Sequence, residues 1–237
     1  MAETLLATER LHAFYGASQV LHGIDFSVRP GETVALIGRN GLGKTTFLRS
    51  LMGLVADRRG RIVLKGKDVT RSAPEVISKG GVALVPEGRG VFGSLSVVEN
   101  LTMAARPGLD GRRTWTLERI FDLFPRLYQR RTNGGHQLSG GEQQMLTIGR
   151  ALMTHPELIL IDEATEGLAP LIAQEIWRMI DVIRAERITT IVVDKDFKSL
   201  ARIADRAVVL VKGEVAFDGS PSALAAQPDL LNRYLGV

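Results

Sequence analysis

Short apolar runs rich in β-branched residues alternate along the chain with segments in which apolar positions recur at helical spacing. The runs predict buried strands at residues 33–37, 61–64, 81–85, 157–161, 189–193 and 207–211. The segments between many of them predict helices at residues 44–55, 142–154, 168–185 and 198–204. Strands that are apolar throughout and alternate with helices indicate an α/β fold with a mostly parallel sheet.

One stretch, residues 88–155, departs from this alternation. Its pattern is mostly helical, at residues 97–105, 116–130 and 142–154. We therefore predict a single domain over residues 1–237, in which a helical lobe at 88–155 is inserted into an α/β core formed by 1–87 and 156–237.

The composition and charge are those of an ordinary globular protein. Of the 237 residues, 45% are apolar and 24% are charged. The net charge of +4 admits an anionic partner, but basic and acidic residues are interspersed, so a mixed solvated surface explains it equally well. The chain has no cysteine and therefore no disulfide. It shows neither a run of 18 apolar residues nor a signal-peptide pattern, so we expect a cytoplasmic protein that reaches a membrane only through partners.

The segment after the predicted strand at 33–37 carries the most specific chemistry. It reads Gly38-Arg39-Asn40-Gly41-Leu42-Gly43-Lys44-Thr45-Thr46 and matches the phosphate-loop pattern G-x-x-x-x-G-K-[ST]. Glycines let successive N–H groups face a phosphate, the lysine reaches the β and γ phosphates, and the threonine hydroxyl binds Mg²⁺. A glycine-rich turn without a ligand is the structural alternative. We predict that ATP is bound by Gly38, Asn40, Gly41, Gly43, Lys44, Thr45 and Thr46.

Two carboxylates follow the apolar run 158–161. Because consecutive side chains of a strand point in opposite directions, Asp162 and Glu163 can divide two tasks. We predict that Asp162 serves the metal, through water, and that Glu163 is the general base or orients the attacking water. An acidic pair at a strand end is a weak signal alone, and it gains its meaning from the phosphate loop upstream.

A third motif, the LSGGE motif at residues 138–142, precedes a helical pattern. Ser139 and Glu142 have the spacing of a capping box, which explains two residues as an ordinary helix start. It leaves Gly140 and Gly141 unexplained, because glycine is a poor helix former. The glycines make sense if this helix start lies bare against a phosphate.

The ordered set of phosphate loop, LSGGE motif and acidic strand end resembles the ATP-binding cassette (ABC) ATPases over essentially the whole chain. The resemblance implies a P-loop NTPase core with an additional N-terminal antiparallel β part. It also implies a head-to-tail dimer that traps two ATP molecules, in which Ser139, Gly140 and Gly141 touch the γ-phosphate bound by the partner chain. Tyr15 falls where the family places an aromatic ring on adenine, with an ordinary half-buried strand aromatic as the alternative.

Three places depart from the family pattern. Glu87 stands where a glutamine usually follows the third strand, and its carboxylate can still reach metal-bound water, which adds it to Thr45 and Asp162 as an expected Mg²⁺ ligand. The loop after the acidic pair reads Glu166-Gly167-Leu168-Ala169-Pro170, where the family usually ends with an interface-crossing aspartate whose role here is in doubt. Lys195 takes the place of the switch histidine.

Two roles are open for Lys195. By its position we expect it to donate a charged hydrogen bond to the γ-phosphate and to take part in catalysis with Lys44, Glu87 and Glu163. The alternative is a lysine that points into solvent at a strand end.

The segments PEGRGVF, LSVVENL and GLAP and the ending NRYLGV are similar to the shorter ATPase of the branched-chain amino-acid importers. That resemblance implies a motor in which ATP closes two chains, hydrolysis opens them, and the motion drives integral membrane permease subunits docked around residues 87–100. A solute-binding protein takes part indirectly. Importers of urea and short-chain amides share these segments, and a soluble ABC protein of DNA repair or translation and a phosphate-loop kinase are the other hypotheses.

The expected partner ATPase is a second copy or a paralogous chain. Both half-sites are complete in this sequence, whereas the importers it resembles pair two different ATPases. ATP and Mg²⁺ are the expected cofactors, and no nucleic-acid partner is expected. The chain is expected at the inner face of the cell membrane, attached peripherally.

Overall fold

Two β-sheets and the helices around them make up the computed structural model of the protein, which describes residues 4–227. The strands are β1 (Leu6–Tyr15), β2 (Ser18–Val28), β3 (Thr33–Ile37), β4 (Asp57–Leu64), β5 (Lys67–Asp68), β6 (Val82–Val85), β7 (Leu158–Asp162), β8 (Thr189–Val193), β9 (Arg206–Val211) and β10 (Glu214–Gly219). The helices are α1 (Lys44–Leu51), α2 (Pro74–Lys79), α3 (Val97–Thr102), α4 (Leu117–Leu123), α5 (Pro125–Gln129), α6 (Gly140–Leu152), α7 (Pro170–Ala185), α8 (Phe197–Ile203) and α9 (Pro221–Ala225). The NRYLGV ending, one of the segments that resemble the importers, lies outside the described residues.

The larger sheet has six strands in the order β10-β9-β3-β8-β7-β6. All its neighbouring pairs are parallel except β9 with β10, which confirms the predicted α/β fold with a mostly parallel sheet. Parallel strands end at the same edge of a sheet, so the segments that follow β3, β7 and β8 meet there. These segments are the phosphate loop, the acidic pair and the loop that carries Lys195.

The smaller sheet is antiparallel, in the order β2-β1-β4-β5, and confirms the N-terminal antiparallel β part implied by the family resemblance. The hydrophobic pattern had predicted only residues 61–64 of it. Along β2, buried and exposed positions alternate, so its apolar residues never form the continuous run by which the buried strands were found. In β10, exposed and half-buried positions alternate, so it too lacks a continuous apolar run.

The large sheet divides the core into two apolar clusters. Val34 and Leu36 of β3 pack on one side with α1 and the antiparallel sheet. Ala35 and Ile37 pack on the other side with α3, α4, α6 and α7. This alternation follows from the two faces of a strand and fixes β3, and therefore the loop after it, at the centre of the molecule.

The segment 88–155 is mostly helical, as its pattern predicts, but the helix predicted at 116–130 is two helices. Pro125 begins α5 directly after Phe124, where φ is −127° and ψ is 75°. A proline offers no N–H to continue the preceding helix and disfavours helical geometry in the residue before it. The division into a core and a lobe at residues 88 and 155 stays a prediction. Within residues 4–227, no helix is both long enough and apolar enough to cross a bilayer.

Candidate active site

The phosphate loop connects the end of β3 to the first turn of α1. Gly38 has φ 151°, and a Cβ at this position would lie 2.4 Å from the carbonyl oxygen of Leu210, so only glycine fits. Gly43 is the N-cap of α1 with φ 106°, in the left-handed region that favours glycine. Among the described residues no side chain caps this helix start, so the N–H groups of its first turn are available to an anion.

A cavity of about 410 Å³ opens over this loop. It brings together most of the residues predicted from the sequence to bind ATP or the metal. Its lining consists of Val20, Asn40, Gly41, Gly43, Lys44, Thr45, Thr46, Glu87, Glu163 and Glu166. Gly38 and Asp162 adjoin it through hydrogen bonds to Lys44 and Thr45. The lining does not include Tyr15 or, within the described chain, any residue of the LSGGE motif.

Lys44 supplies a buried positive charge at the centre of the cavity. Its side chain is only 4% exposed, and its Nζ donates to the carbonyl oxygens of Gly38 at 2.8 Å and Arg39 at 3.1 Å. Burial lowers the pKa of Lys44, while the negative charges of Glu163 and Asp162 act against that shift. The ammonium is thus held inside the loop by acceptors that a phosphate oxygen can replace.

Two oxygen atoms that could ligate a metal, in the side chains of Thr45 and Asp162, lie within hydrogen-bond distance of one another. The Thr45 hydroxyl donates to Asp162 Oδ1 at 3.2 Å. Burial raises the pKa of Asp162, and the nearby carboxylate of Glu87 adds to that effect. A hydroxyl and carboxylates are the oxygen ligands that Mg²⁺ prefers, and a divalent charge would offset the cost of burying Asp162. The residues therefore fit a magnesium ion.

Glu163 is held in an unusual backbone conformation beside Asp162. Its φ is +48°, a left-handed geometry that is uncommon for a residue other than glycine and that clusters at functional sites. Its N–H donates to the carbonyl oxygen of Val193 at 2.8 Å. The carboxylate lies between two lysines, with Oε1 at 3.9 Å from Lys44 Nζ and Oε2 at 3.6 Å from Lys195 Nζ.

The environment of Glu163 suits a base that works near neutral pH. Burial raises the pKa of Glu163 to about 7, and the neighbouring Glu166 acts in the same direction while Lys195 and Lys44 oppose it. A carboxylate with a pKa in this range accepts a proton more readily than an ordinary exposed glutamate. The geometry is compatible with the predicted role of Glu163, which stays a prediction.

Lys195 lies at the same edge of the sheet, with 51% of its side chain exposed. Its Nζ donates to Glu166 Oε1 and contacts Glu163 as described. Sequence reasoning had named Glu166 only as part of a divergent loop and had missed that it lines the cavity and pairs with Lys195. The pairing of β7 with β8 brings the residues after both strands together, and no signal in the sequence shows that these two strands are neighbours.

The LSGGE motif begins α6. Ser139 is the N-cap: its hydroxyl accepts from the Glu142 N–H at 3.3 Å, and its own N–H donates to Glu142 Oε2 at 2.8 Å. The capping box is therefore present. Gly141 is buried, and a Cβ there would lie 2.4 Å from Ile172 Cγ2, so packing within the chain already requires glycine at this position. Packing therefore explains Gly141 independently of a phosphate, and the contacts of Ser139 and Gly141 with a partner's phosphate stay predictions.

Gly140 and Tyr15 have no comparable packing constraint. The nearest atoms to a Cβ on Gly140 would be those of the Arg89 guanidinium group, the flexible end of a side chain, at 2.9 Å. Tyr15 lies at the end of β1 and is 45% exposed. It pairs with Ser18, two residues before Val20, which lines the cavity. The contacts of Gly140 with a partner's phosphate and of Tyr15 with adenine stay predictions.

Comparison with known proteins places this site in a family. A family model described as ABC transporter matches residues 21–166. The high-affinity branched-chain amino acid transport ATP-binding protein BraG of Pseudomonas aeruginosa is 38% identical over 98% of this chain and 100% of its own length. The lipopolysaccharide export system ATP-binding protein LptB of Acidithiobacillus ferridurans is 33% identical over 98% of this chain and 97% of its own. A solved ATP binding subunit of an ABC transporter superposes with a TM-score of 0.82 at 29% identity, covering 98% of this chain and 97% of that one.

Proposed function

The chain belongs to the ABC transporter ATPases, and from that premise we propose that it is the motor of an importer for branched-chain or related hydrophobic amino acids. As a member of the family it binds ATP and couples ATP hydrolysis to transport with membrane permease subunits. The observation that carries the proposal is the similarity to BraG over 98% of this chain and 100% of BraG. LptB, whose name states export, covers the chain equally well at lower identity, so the direction of transport is a point for experiment.

In the proposed mechanism the phosphate loop holds the ATP phosphates. The N–H groups at the start of α1 bind the phosphate oxygens, and Lys44 neutralises the β and γ phosphates. Thr45, Asp162 and Glu87 would hold Mg²⁺. When bound, the ion offsets the negative charge of the phosphates. Glu163 takes the proton of the attacking water.

The partner chain, a second copy or a paralogue, completes the site. We propose that its Ser139, Gly140 and Gly141 face the γ-phosphate held by this chain, so that two ATP molecules are enclosed. The capping box occupies the N–H groups of Ser139 and Glu142, so the N–H groups of Gly140 and Gly141 are the ones at the start of α6 that can bind an anion.

Arginine at position 139 is expected to destroy turnover while leaving the ATP affinity of the single chain nearly unchanged. Ser139 is exposed and lies outside the phosphate-loop cavity, so Ser139→Arg blocks only the composite site. Mixing this variant with a Lys44→Ala chain should restore one intact site per dimer, which a steady-state ATPase assay of the mixture measures. No recovery in a mixture whose chains demonstrably associate would argue against head-to-tail pairing.

The region expected to receive the permease has a fixed apolar contact point. Phe92 is 44% exposed, while the buried Asn100 accepts from the Phe92 N–H at 3.0 Å and donates to its carbonyl oxygen at 3.0 Å. An exposed aromatic side chain on a backbone held by two hydrogen bonds suits a docking surface. We propose that the permease docks around residues 87–100, that the chain lies peripherally at the inner face of the cell membrane, and that a solute-binding protein delivers the substrate.

Reconstitution tests the proposed substrate and direction. The chain is purified with its membrane subunits, inserted into proteoliposomes and assayed for ATP-dependent uptake with its solute-binding protein. Leucine, isoleucine or valine should stimulate ATPase activity and accumulate inside the vesicles. Stimulation by urea or acetamide instead would change the substrate class, and extraction of lipopolysaccharide would reverse the direction. Co-purification with ribosomes or DNA rather than with permease subunits would favour a soluble ABC protein.

A further inference from the structure

Two residues that distinguish this chain from the general family pattern contact one another. Glu166 belongs to the divergent loop after β7, and Lys195 replaces the switch histidine after β8. Their side chains form an ion pair at the mouth of the cavity. On the basis of the function proposed above, we propose that this pair is a positioning device: Lys195 bridges the adjacent carboxylates of Glu166 and Glu163 and so keeps Glu163 directed toward the nucleotide.

Each carboxylate oxygen of Glu163 faces a different lysine. Its Oε1 faces Lys44 Nζ at 3.9 Å, and its Oε2 faces Lys195 Nζ at 3.6 Å. Lys44 is the phosphate-loop lysine, and bound phosphates would compete for its ammonium group. Lys195 is then the cation that stays with Glu163. Its own hydrogen bond goes to Glu166 Oε1, which keeps the ammonium over the carboxylate.

Hydrogen bonds to the Asp194 carboxylate hold the two loops that carry the pair in place. Asp194, which is 7% exposed, accepts from the Thr165 hydroxyl at 2.6 Å and from the Thr165 N–H at 3.3 Å. Its other oxygen accepts from the Asp196 N–H at 3.0 Å. The loops after β7 and β8 are thereby tied together directly beside Glu166 and Lys195. The meeting of the two side chains is therefore built into the fold, although Lys195 itself is half exposed.

A cation is needed at this point because carboxylates crowd together. One oxygen each of Glu87, Glu163 and Glu166 lies within 4.8 Å of the others. Like charges at this spacing repel, so an unneutralised pair separates or takes up a proton. Lys195 pairs with Glu166 and lies 3.6 Å from Oε2 of Glu163, so one cation faces two of these three carboxylates.

A double-variant experiment separates this role from a direct contact of Lys195 with the γ-phosphate. Lys195→Ala, Glu166→Gln and the combination of both are compared in steady-state ATPase assays, with Lys198→Ala as the matched control. Lys198 is an exposed lysine of α8, outside the cavity lining. Lys195→Ala should lower kcat by about 10- to 150-fold while the KM for ATP changes by less than about threefold.

Rescue is the decisive result. Adding Glu166→Gln to Lys195→Ala should restore kcat to within about fivefold of wild type, because the like-charged neighbour that displaces Glu163 is gone. In nucleotide-free protein, Lys195→Ala should lower the Tm by about 1–3 °C, and the second substitution should recover that loss. Lys198→Ala should behave as wild type in both assays.

Two outcomes would overturn the proposal while the wild-type chain hydrolyses ATP normally. One is a double variant as slow as Lys195→Ala, which would indicate that the lysine acts on the phosphate itself. The other is a Lys195→Ala chain within twofold of wild type. A wild-type chain without ATPase activity would instead refute the proposed function, so the two failures are distinguishable.

Discussion

Lys44→Ala is expected to abolish ATP turnover and to weaken nucleotide binding. The Lys44 side chain is 4% exposed, and no other cation lines the cavity among the described residues, so its loss leaves only uncharged donors for the phosphates: backbone N–H groups and the hydroxyls of Thr45 and Thr46. A hydrogen bond to a charged group contributes about 1.5–3 kcal/mol, so ATP affinity should fall by about 10- to 150-fold. Turnover should fall further, by at least about 1,000-fold, because charge developing on the γ-phosphate loses its nearest compensation.

Steady-state ATPase assays and calorimetric titration with ATP measure the two effects of Lys44→Ala separately. Lys198→Ala is the control for the removal of a lysine, since Lys198 is exposed and is not among the residues that line the cavity. The buried position of Lys44 makes a check of folding necessary, and circular dichroism with a thermal melt provides it. Full ATPase activity in a folded Lys44→Ala chain would refute the assignment of the phosphate loop as the site of hydrolysis.

The parts of the fold that the sequence predicts best are the buried parallel strands. β3 and β8 have the predicted bounds, because strands covered on both faces are continuous apolar runs. The sheet made by β1 and β2 has one polar face and was expected only from the family resemblance. Helix ends were less well predicted: α1 ends at Leu51 rather than at residue 55, because Gly53 adopts a left-handed φ of 77°.

The features of the candidate site likewise differ in how well the sequence predicts them. Motifs that are contiguous in sequence, such as the phosphate loop and the acidic pair, were predicted as units, and the structure brings them to one cavity. Contacts between separate loops were not predicted. The pairing of Lys195 with Glu166 depends on β7 and β8 being neighbours, and the sequence does not state the order of strands in a sheet. The packing of Gly141 against Ile172 likewise depends on how two helices meet.

Glu163→Gln tests the assignment of the base and is expected to lower hydrolysis by about 100-fold or more. The glutamine amide has nearly the shape of the carboxylate, so it fills the position between Lys44 and Lys195. Unlike the carboxylate, the amide cannot accept a proton from water. The raised pKa of Glu163, about 7, shows how strongly its surroundings favour a bound proton, and this property is lost with the amide. ATP and Mg²⁺ binding should persist, because Thr45 and Asp162 are unchanged.

A dimer that encloses ATP but cannot hydrolyse it should accumulate. The Glu163→Gln chain is therefore expected to elute as a dimer in gel filtration with ATP and Mg²⁺ and as a monomer with ADP. Glu214→Gln makes the same chemical change at an exposed strand position and should give wild-type turnover and elution. A Glu163→Gln chain that hydrolyses ATP at the wild-type rate would transfer the role of base to another carboxylate. Glu87 would be the first candidate, since its carboxylate lies in the same cavity within 4.8 Å of Glu163.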